Sequence, residues 1–82
     1  MQIKWRESAL KEAAKAPFAI SAALIEAVSR YAENRNAAVD VKAMRGERDT
    51  LRIRVRDWRL IFTVKGETLT VVRIAPRGAA YR

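Results

Sequence analysis

The sequence predicts a small α+β domain, one unit over residues 1–82, in which an antiparallel sheet carries a helical hairpin on one face. Three observations predict it. Residues 51–56 alternate apolar and polar side chains with a period of two, and residues 59–64 do the same except at Ile61, the pattern of strands buried on one side. Ile20, Leu24, Ala27, Val28 and Tyr31 instead recur at helical spacing and form one stripe. Short turn sequences separate the runs of the second half, and short turns join antiparallel neighbours. A chain of 82 residues has room for one core, and a sheet covered by one or two helices is the architecture of that scale.

Taken in order, Ile3 and Trp5 share a face of a short first strand. Ser8 reads as the N-cap of a helix with Leu10, Ala13 and Ala14 on one stripe. Pro17 ends that helix at Lys15 or Ala16, because the residue before proline avoids the helical region, and then opens the second helix. Asn34, Arg35 and Asn36 stop it. Residues 37–48 are expected to connect, with one short helical turn near 39–42. Strands follow at 50–55, 59–64 and 68–74, so the predicted order is β-α-α-β-β-β. Pro76, Arg77 and Gly78 break the last strand, leaving residues 79–82 beside the uncovered face.

The most informative run is Leu51-Arg52-Ile53-Arg54-Val55-Arg56. With Leu51, Ile53 and Val55 turned to a core, Arg52, Arg54 and Arg56 point outward together. A two-residue turn at Asp57-Trp58 pairs Val55 with Leu60, Ile53 with Phe62 and Arg56 with Arg59, and gathers four arginines on one patch. Like charges on neighbouring sheet positions destabilise by a few tenths to about 1 kcal/mol each, so an anionic partner is the expected reason for the arrangement. The charge is also uneven along the chain. Residues 1–36 carry a net +2 and residues 37–82 a net +6 of the total +8.

Composition removes several function classes. With no cysteine there are no disulfides or thiolate metal sites, and with no histidine a zinc site would rest on carboxylates alone. Acid–base chemistry must therefore come from Tyr, Lys, Arg, Asp or Glu. Glu7, Glu12, Glu26 and Glu33 lie on the helices and read as solvated faces or i, i+4 partners rather than a catalytic pair. No apolar run approaches the roughly 20 residues that span a bilayer, and residues 1–6 lack the apolar segment of a signal peptide. A soluble, cytoplasmic chain with no membrane partner is expected.

Several segments in order carry a resemblance. They are Trp5 with Ser8-Ala9-Leu10-Lys11, Pro17 and the long second helix, Val41-Lys42-Ala43-Met44-Arg45-Gly46, Arg52-Ile53-Arg54-Val55-Arg56, Trp58-Arg59-Leu60-Ile61-Phe62, and Arg73-Ile74-Ala75-Pro76-Arg77 with Tyr81. Together they resemble the RelE/ParE superfamily of bacterial type II toxin–antitoxin toxins, its RelE-like branch in particular, over the whole chain. The resemblance implies a curved antiparallel sheet with a helical hairpin on one face. It also implies an endonuclease that cuts messenger RNA in the ribosomal A site and so inhibits translation. No metal or other cofactor is implied: the ribose 2′-hydroxyl attacks the adjacent phosphate and leaves a 2′,3′-cyclic phosphate.

By the same resemblance Arg52 and Arg54 stabilise transition-state charge, Arg59 holds the phosphate, Arg77 is leaving-group acid or charge stabiliser, and Tyr81 is the general base. Lys42 and Arg45 match a basic loop that touches ribosomal RNA. Arg56 extends the basic patch, and Trp58 either stacks on a base or covers the hairpin. A tyrosine serves as a base where positive charge stabilises its phenolate, which an arginine patch supplies. Two departures stand out. Some members carry lysine where this chain has Arg52 and Arg54, and arginine, with a pKa above about 12, does not readily exchange a proton. Ala79 and Ala80 replace residues that are often charged. The implied partners are a cognate acidic antitoxin, in a hetero-oligomer, and the ribosome with its A-site messenger RNA. The alternatives are a ParE-like toxin that binds DNA gyrase without cutting RNA, and an inactive member that only binds antitoxin.

Overall fold

A computed structural model of the chain describes residues 1–77. The elements are β1 (Gln2–Trp5), α1 (Glu7–Lys15), α2 (Phe18–Glu33), β2 (Val41–Ala43), β3 (Thr50–Val55), β4 (Trp58–Lys65) and β5 (Thr68–Pro76). They build one sheet in the order β1-β5-β4-β3-β2. The meander of the second half is antiparallel, and β1 joins it parallel to β5, with Ile3 beside Leu69 and Trp5 beside Val71. The sheet is therefore mixed. A parallel neighbour needs a crossover, and the two helices, with the strands that wind back from the far edge, supply the intervening chain.

One face of the sheet is covered. Ala9 of α1 and Leu24, Val28 and Tyr31 of α2 pack with Ile53, Leu60, Phe62, Leu69, Val71 and Ile74. The Tyr31 and Phe62 rings lie 5.4 Å apart at 58°, a tilted arrangement that ring quadrupoles favour. Each fully buried side chain of this size stabilises the fold by about 1.5–3 kcal/mol relative to exposure. Ser21 fastens the helices together, its hydroxyl donating to the Ala13 carbonyl at 2.6 Å.

Four local expectations change. Ser8 is not the N-cap: α1 begins at Glu7 after Arg6, and no side chain caps it. The Arg6 N–H donates to Val71 O, so the end of the β1–β5 ladder decides where the helix starts. Of the predicted stripe, Leu10 is exposed; the contact with the core is made through Ala9, with Ala13 partly buried beside it. Residues 39–42 form no helical turn. Val41, Lys42 and Ala43 instead pair with Ile53, Arg52 and Leu51, which satisfies the ladder edge of β3.

The β3–β4 turn is Arg56-Asp57, not Asp57-Trp58. Val55 pairs with Trp58, Ile53 with Leu60 and Arg54 with Arg59. Arg56 closes the turn at φ 55°, a left-handed conformation that costs a non-glycine residue about 1–2 kcal/mol. The register differs from expectation by two residues, so every side chain keeps its predicted face. In β5, Phe62 faces Val71 and Ile61 faces Arg73, which makes Val72 an extra residue. That bulge brings Ile74 rather than Arg73 into the buried row after Leu69 and Val71. Among the described residues no helix is long and apolar enough to cross a membrane.

Candidate functional site

The uncovered face is ordered by the ladder into rows. Lys42, Arg52, Ile61 and Arg73 form one, each abreast of the next on β2, β3, β4 and β5. Arg54, Arg59 and Ala75 form the adjacent row. Ile61 is only 5% exposed, flanked across the ladder by Arg52 and Arg73, whose aliphatic stems suit an apolar neighbour. Same-face residues on one strand stand about 6.8 Å apart, close to the repeat of successive phosphates along an extended RNA strand.

Arg54 and Arg59 converge on a single acceptor. Arg54 Nε donates to the Arg56 carbonyl at 2.9 Å, and an Arg59 terminal nitrogen lies 3.5 Å from the same oxygen. Arg59 is 6% exposed, whereas Arg54 is open to solvent. The buried guanidinium is thus oriented by its surroundings, and the open one is available to a ligand. Preorganised cations of this kind stabilise developing phosphoryl charge without rearranging at the moment of reaction.

Arg52 is held from the side. A terminal nitrogen of its guanidinium lies 3.5 Å from Asp40 Oδ1, and its side chain is 13% exposed. Together with Lys42, Ala43, Met44 and Arg45 it lines a cavity of about 300 Å³ at the β2 edge of the sheet. Gly46, at φ 80°, and Asp49, at φ 60°, shape the loop that closes this hairpin.

Arg77 lies just beyond β5, and its N–H donates to the Asp57 carbonyl at 2.6 Å. That bond continues the pairing of Pro76 with Trp58, so Arg77 stands abreast of the Arg56-Asp57 turn, at the same end of the sheet as Arg54 and Arg59. Tyr81 lies outside the described residues. Arg56 is in the turn rather than opposite Arg59, where it contributes its carbonyl to the cluster. Trp58 is partly buried against the core on the helix-covered side, opposite Val55 and Pro76, and is not gathered with the basic row.

Two acidic residues reach this face: Asp40, which carries no expectation from the sequence, and Glu12, expected on a solvated face or as an i, i+4 partner and found bound to β5 instead. Asp40 precedes β2, and the two-residue step from Asp40 to Lys42 would have placed it on the basic face had the segment been read as a strand. Glu12 accepts the Ile74 N–H at 2.8 Å through Oε1, and its Oε2 lies 3.7 Å from Arg73 Nε. Nothing local signals a contact between residues 62 positions apart.

Three solved structures show the same fold. A chain of the RelB–RelE antitoxin–toxin complex from Methanococcus jannaschii superposes with a TM-score of 0.82 at 21% identity, over 95% of this chain and 94% of that one. The isolated RelE toxin from E. coli gives 0.78 at 21% identity, over 93% and 83% of the two chains. The archaeal RelE–RelB complex from Pyrococcus horikoshii gives 0.77 at 22%, over 96% and 97%. No curated protein sequence matches the chain. The family model described as the ParE toxin of the type II toxin–antitoxin system parDE matches residues 3–81. A match over nearly the whole sequence, on a fold shared with RelE toxins, identifies the chain as a type II toxin–antitoxin toxin of the ParE family, within the RelE/ParE superfamily.

Proposed function

We propose that this toxin is a RelE-like endoribonuclease that cuts messenger RNA on the ribosome, in the cytoplasm, and is held inactive by an acidic antitoxin. The observation that carries the reading is the Arg54–Arg59 pair, one guanidinium buried and one open, beside the Lys42–Arg52 row on one cationic face. In the reaction, the ribose 2′-oxygen bonds to phosphorus and the bond from phosphorus to the 5′-oxygen breaks. Tyr81 takes the 2′-hydroxyl proton, and the leaving 5′-oxygen gains a proton from water while Arg77 stabilises its charge. Arg52, Arg54 and Arg59 stabilise the extra charge of the pentavalent state. The face has no opposing protein wall among the described residues, so the ribosome supplies the alignment, a contribution worth about 7–11 kcal/mol when complete.

The description of the matching family model favours a second reading, a ParE-like toxin that acts on DNA gyrase without cutting RNA. One paired experiment separates them. The purified chain is added to a translation system with RNA 5′-end mapping, and in parallel to a gyrase supercoiling assay. New 5′ ends within translated messages, with supercoiling intact, are expected. Inhibited supercoiling with intact messages would replace the first reading by the second.

A further inference from the structure

The nine acidic residues of the chain are distributed unequally about the sheet. Four lie on helices and four in the loops between strands, while Asp40 adjoins β2. Asp40 beside Arg52 and Glu12 beside Arg73 are the carboxylates paired with the Lys42–Arg52–Arg73 row among the described residues. The placement of Asp40 is fixed by backbone as well as side chain. The Arg54 N–H donates to the Asp40 carbonyl at 3.0 Å, extending the β2–β3 ladder one residue past Val41. Asp40 is thereby abreast of Arg54 and diagonal to Arg52, and diagonal neighbours on a sheet are within reach of long side chains. The carboxylate sits 3.5 Å from one terminal nitrogen of Arg52.

We infer that Asp40 is a positioning residue for Arg52 and a built-in counter-charge that limits the grip of the face on RNA. This rests on the nuclease reading. Lys42 and Arg52 are opposite one another and repel, so an unrestrained Arg52 would swing away from Lys42. Asp40 holds it in the row. A guanidinium has five donors, and one edge engaged by Asp40 leaves the rest for a phosphate. The same carboxylate repels that phosphate. Asp40 therefore acts with opposite signs on two quantities: it weakens binding of RNA as a polyanion, and it raises the rate once RNA is bound by keeping Arg52 oriented. A residue that merely supported the fold would move both in the same direction.

The test uses the full chain and a single-stranded RNA oligonucleotide, with binding followed by fluorescence anisotropy across a salt series. Asp40→Asn keeps the shape and removes the charge. It is expected to tighten binding about threefold at low salt, the effect of one charge at about 7 Å in water. It should also steepen the salt dependence by about 0.7 in the log–log slope, as one more cation becomes free to neutralise phosphate. The slope change should vanish when Arg52→Gln is also present. On programmed ribosomes at saturation, Asp40→Asn should cut more slowly than the parent, with Asp40→Glu recovering part of the rate. A parent that binds RNA while Asp40→Asn leaves affinity and slope unchanged, or changes the slope equally with Arg52→Gln, overturns the role of Asp40 and leaves the nuclease reading standing. A parent that binds no RNA at any salt and cuts none on the ribosome overturns both.

Discussion

Arg54 and Arg59 face each other across the β3–β4 ladder, and both guanidinium groups are turned toward one carbonyl, that of Arg56, at 2.9 and 3.5 Å. Two cations opposite one another repel, and a shared backbone acceptor offsets part of that cost. The turn is therefore part of the site, and it is shaped by the left-handed conformation of Arg56 rather than by its side chain.

Arg56→Gly is accordingly expected to fold with a stability within about 1 kcal/mol of the parent, because relief of the φ strain and the added backbone entropy nearly cancel. Its cleavage rate should stay within about tenfold of the parent, since the acceptor carbonyl remains. Arg56→Pro cannot adopt a positive φ and should lose both. Thermal melting together with single-turnover cleavage checks the pair. Equal loss in the two variants would show that the side chain, not the turn, is what matters.

The two arginines of the pair should separate by readout. Arg54→Ala removes an exposed charge and is expected to leave the melting temperature nearly unchanged while lowering the cleavage rate about 10²-fold, the typical cost of one oriented charge stabiliser. Arg59→Ala vacates a buried site and should cost about 1–3 kcal/mol of stability as well. Circular dichroism melts beside the kinetics distinguish them, and a melting temperature unmoved by Arg59→Ala would argue against its structural share.

Glu12 predicts a second stability effect, on β5 rather than at the Arg54–Arg59 pair. Its carboxylate takes the Ile74 N–H beyond the end of β1, where β5 would otherwise present an unpaired edge. Glu12→Ala should destabilise by about 1–3 kcal/mol, and Glu12→Gln by less because the amide oxygen still accepts. Hydrogen exchange at the Ile74 amide gives the direct check: it should accelerate in Glu12→Ala and stay slow in Glu12→Gln.

Much of this was legible in the sequence because period two does not depend on register. The turn lies one residue earlier than its sequence suggests, yet Arg52, Arg54 and Arg59 keep their face, since a two-residue offset preserves every side chain's direction. The three-residue strand β2 was not legible: Val41, Lys42 and Ala43 are too few to show a period, and they become a strand only because β3 offers an edge. The same blindness hid Asp40. The bulge at Val72 and the Glu12–Ile74 bond are tertiary, set by where α1 meets β5, and no local pattern encodes them. The exposure of Leu10 is not legible either, because α1 is short and the residue it buries is a small alanine, Ala9, which carries little hydrophobic signal.

Tyr81, assigned the base by resemblance, yields a prediction that needs only its chemistry. Tyr81→Phe keeps the ring and removes the hydroxyl, so cleavage should fall about 10²–10⁴-fold with the fold and antitoxin binding unaltered. A rate within threefold of the parent, on the scale of about 0.65 kcal/mol in barrier, would remove Tyr81 from that role.

The most direct measurement of the central claim is single-turnover cutting of a message on programmed ribosomes, comparing normal RNA with RNA carrying a 2′-deoxynucleotide on the 5′ side of the cut. The account predicts cleavage of the normal message to a 2′,3′-cyclic phosphate end and none at the deoxy position, with Arg54→Ala slowing the former. Continued cutting at the deoxy position would contradict attack by the 2′-hydroxyl, and an intact normal message would contradict the nuclease itself.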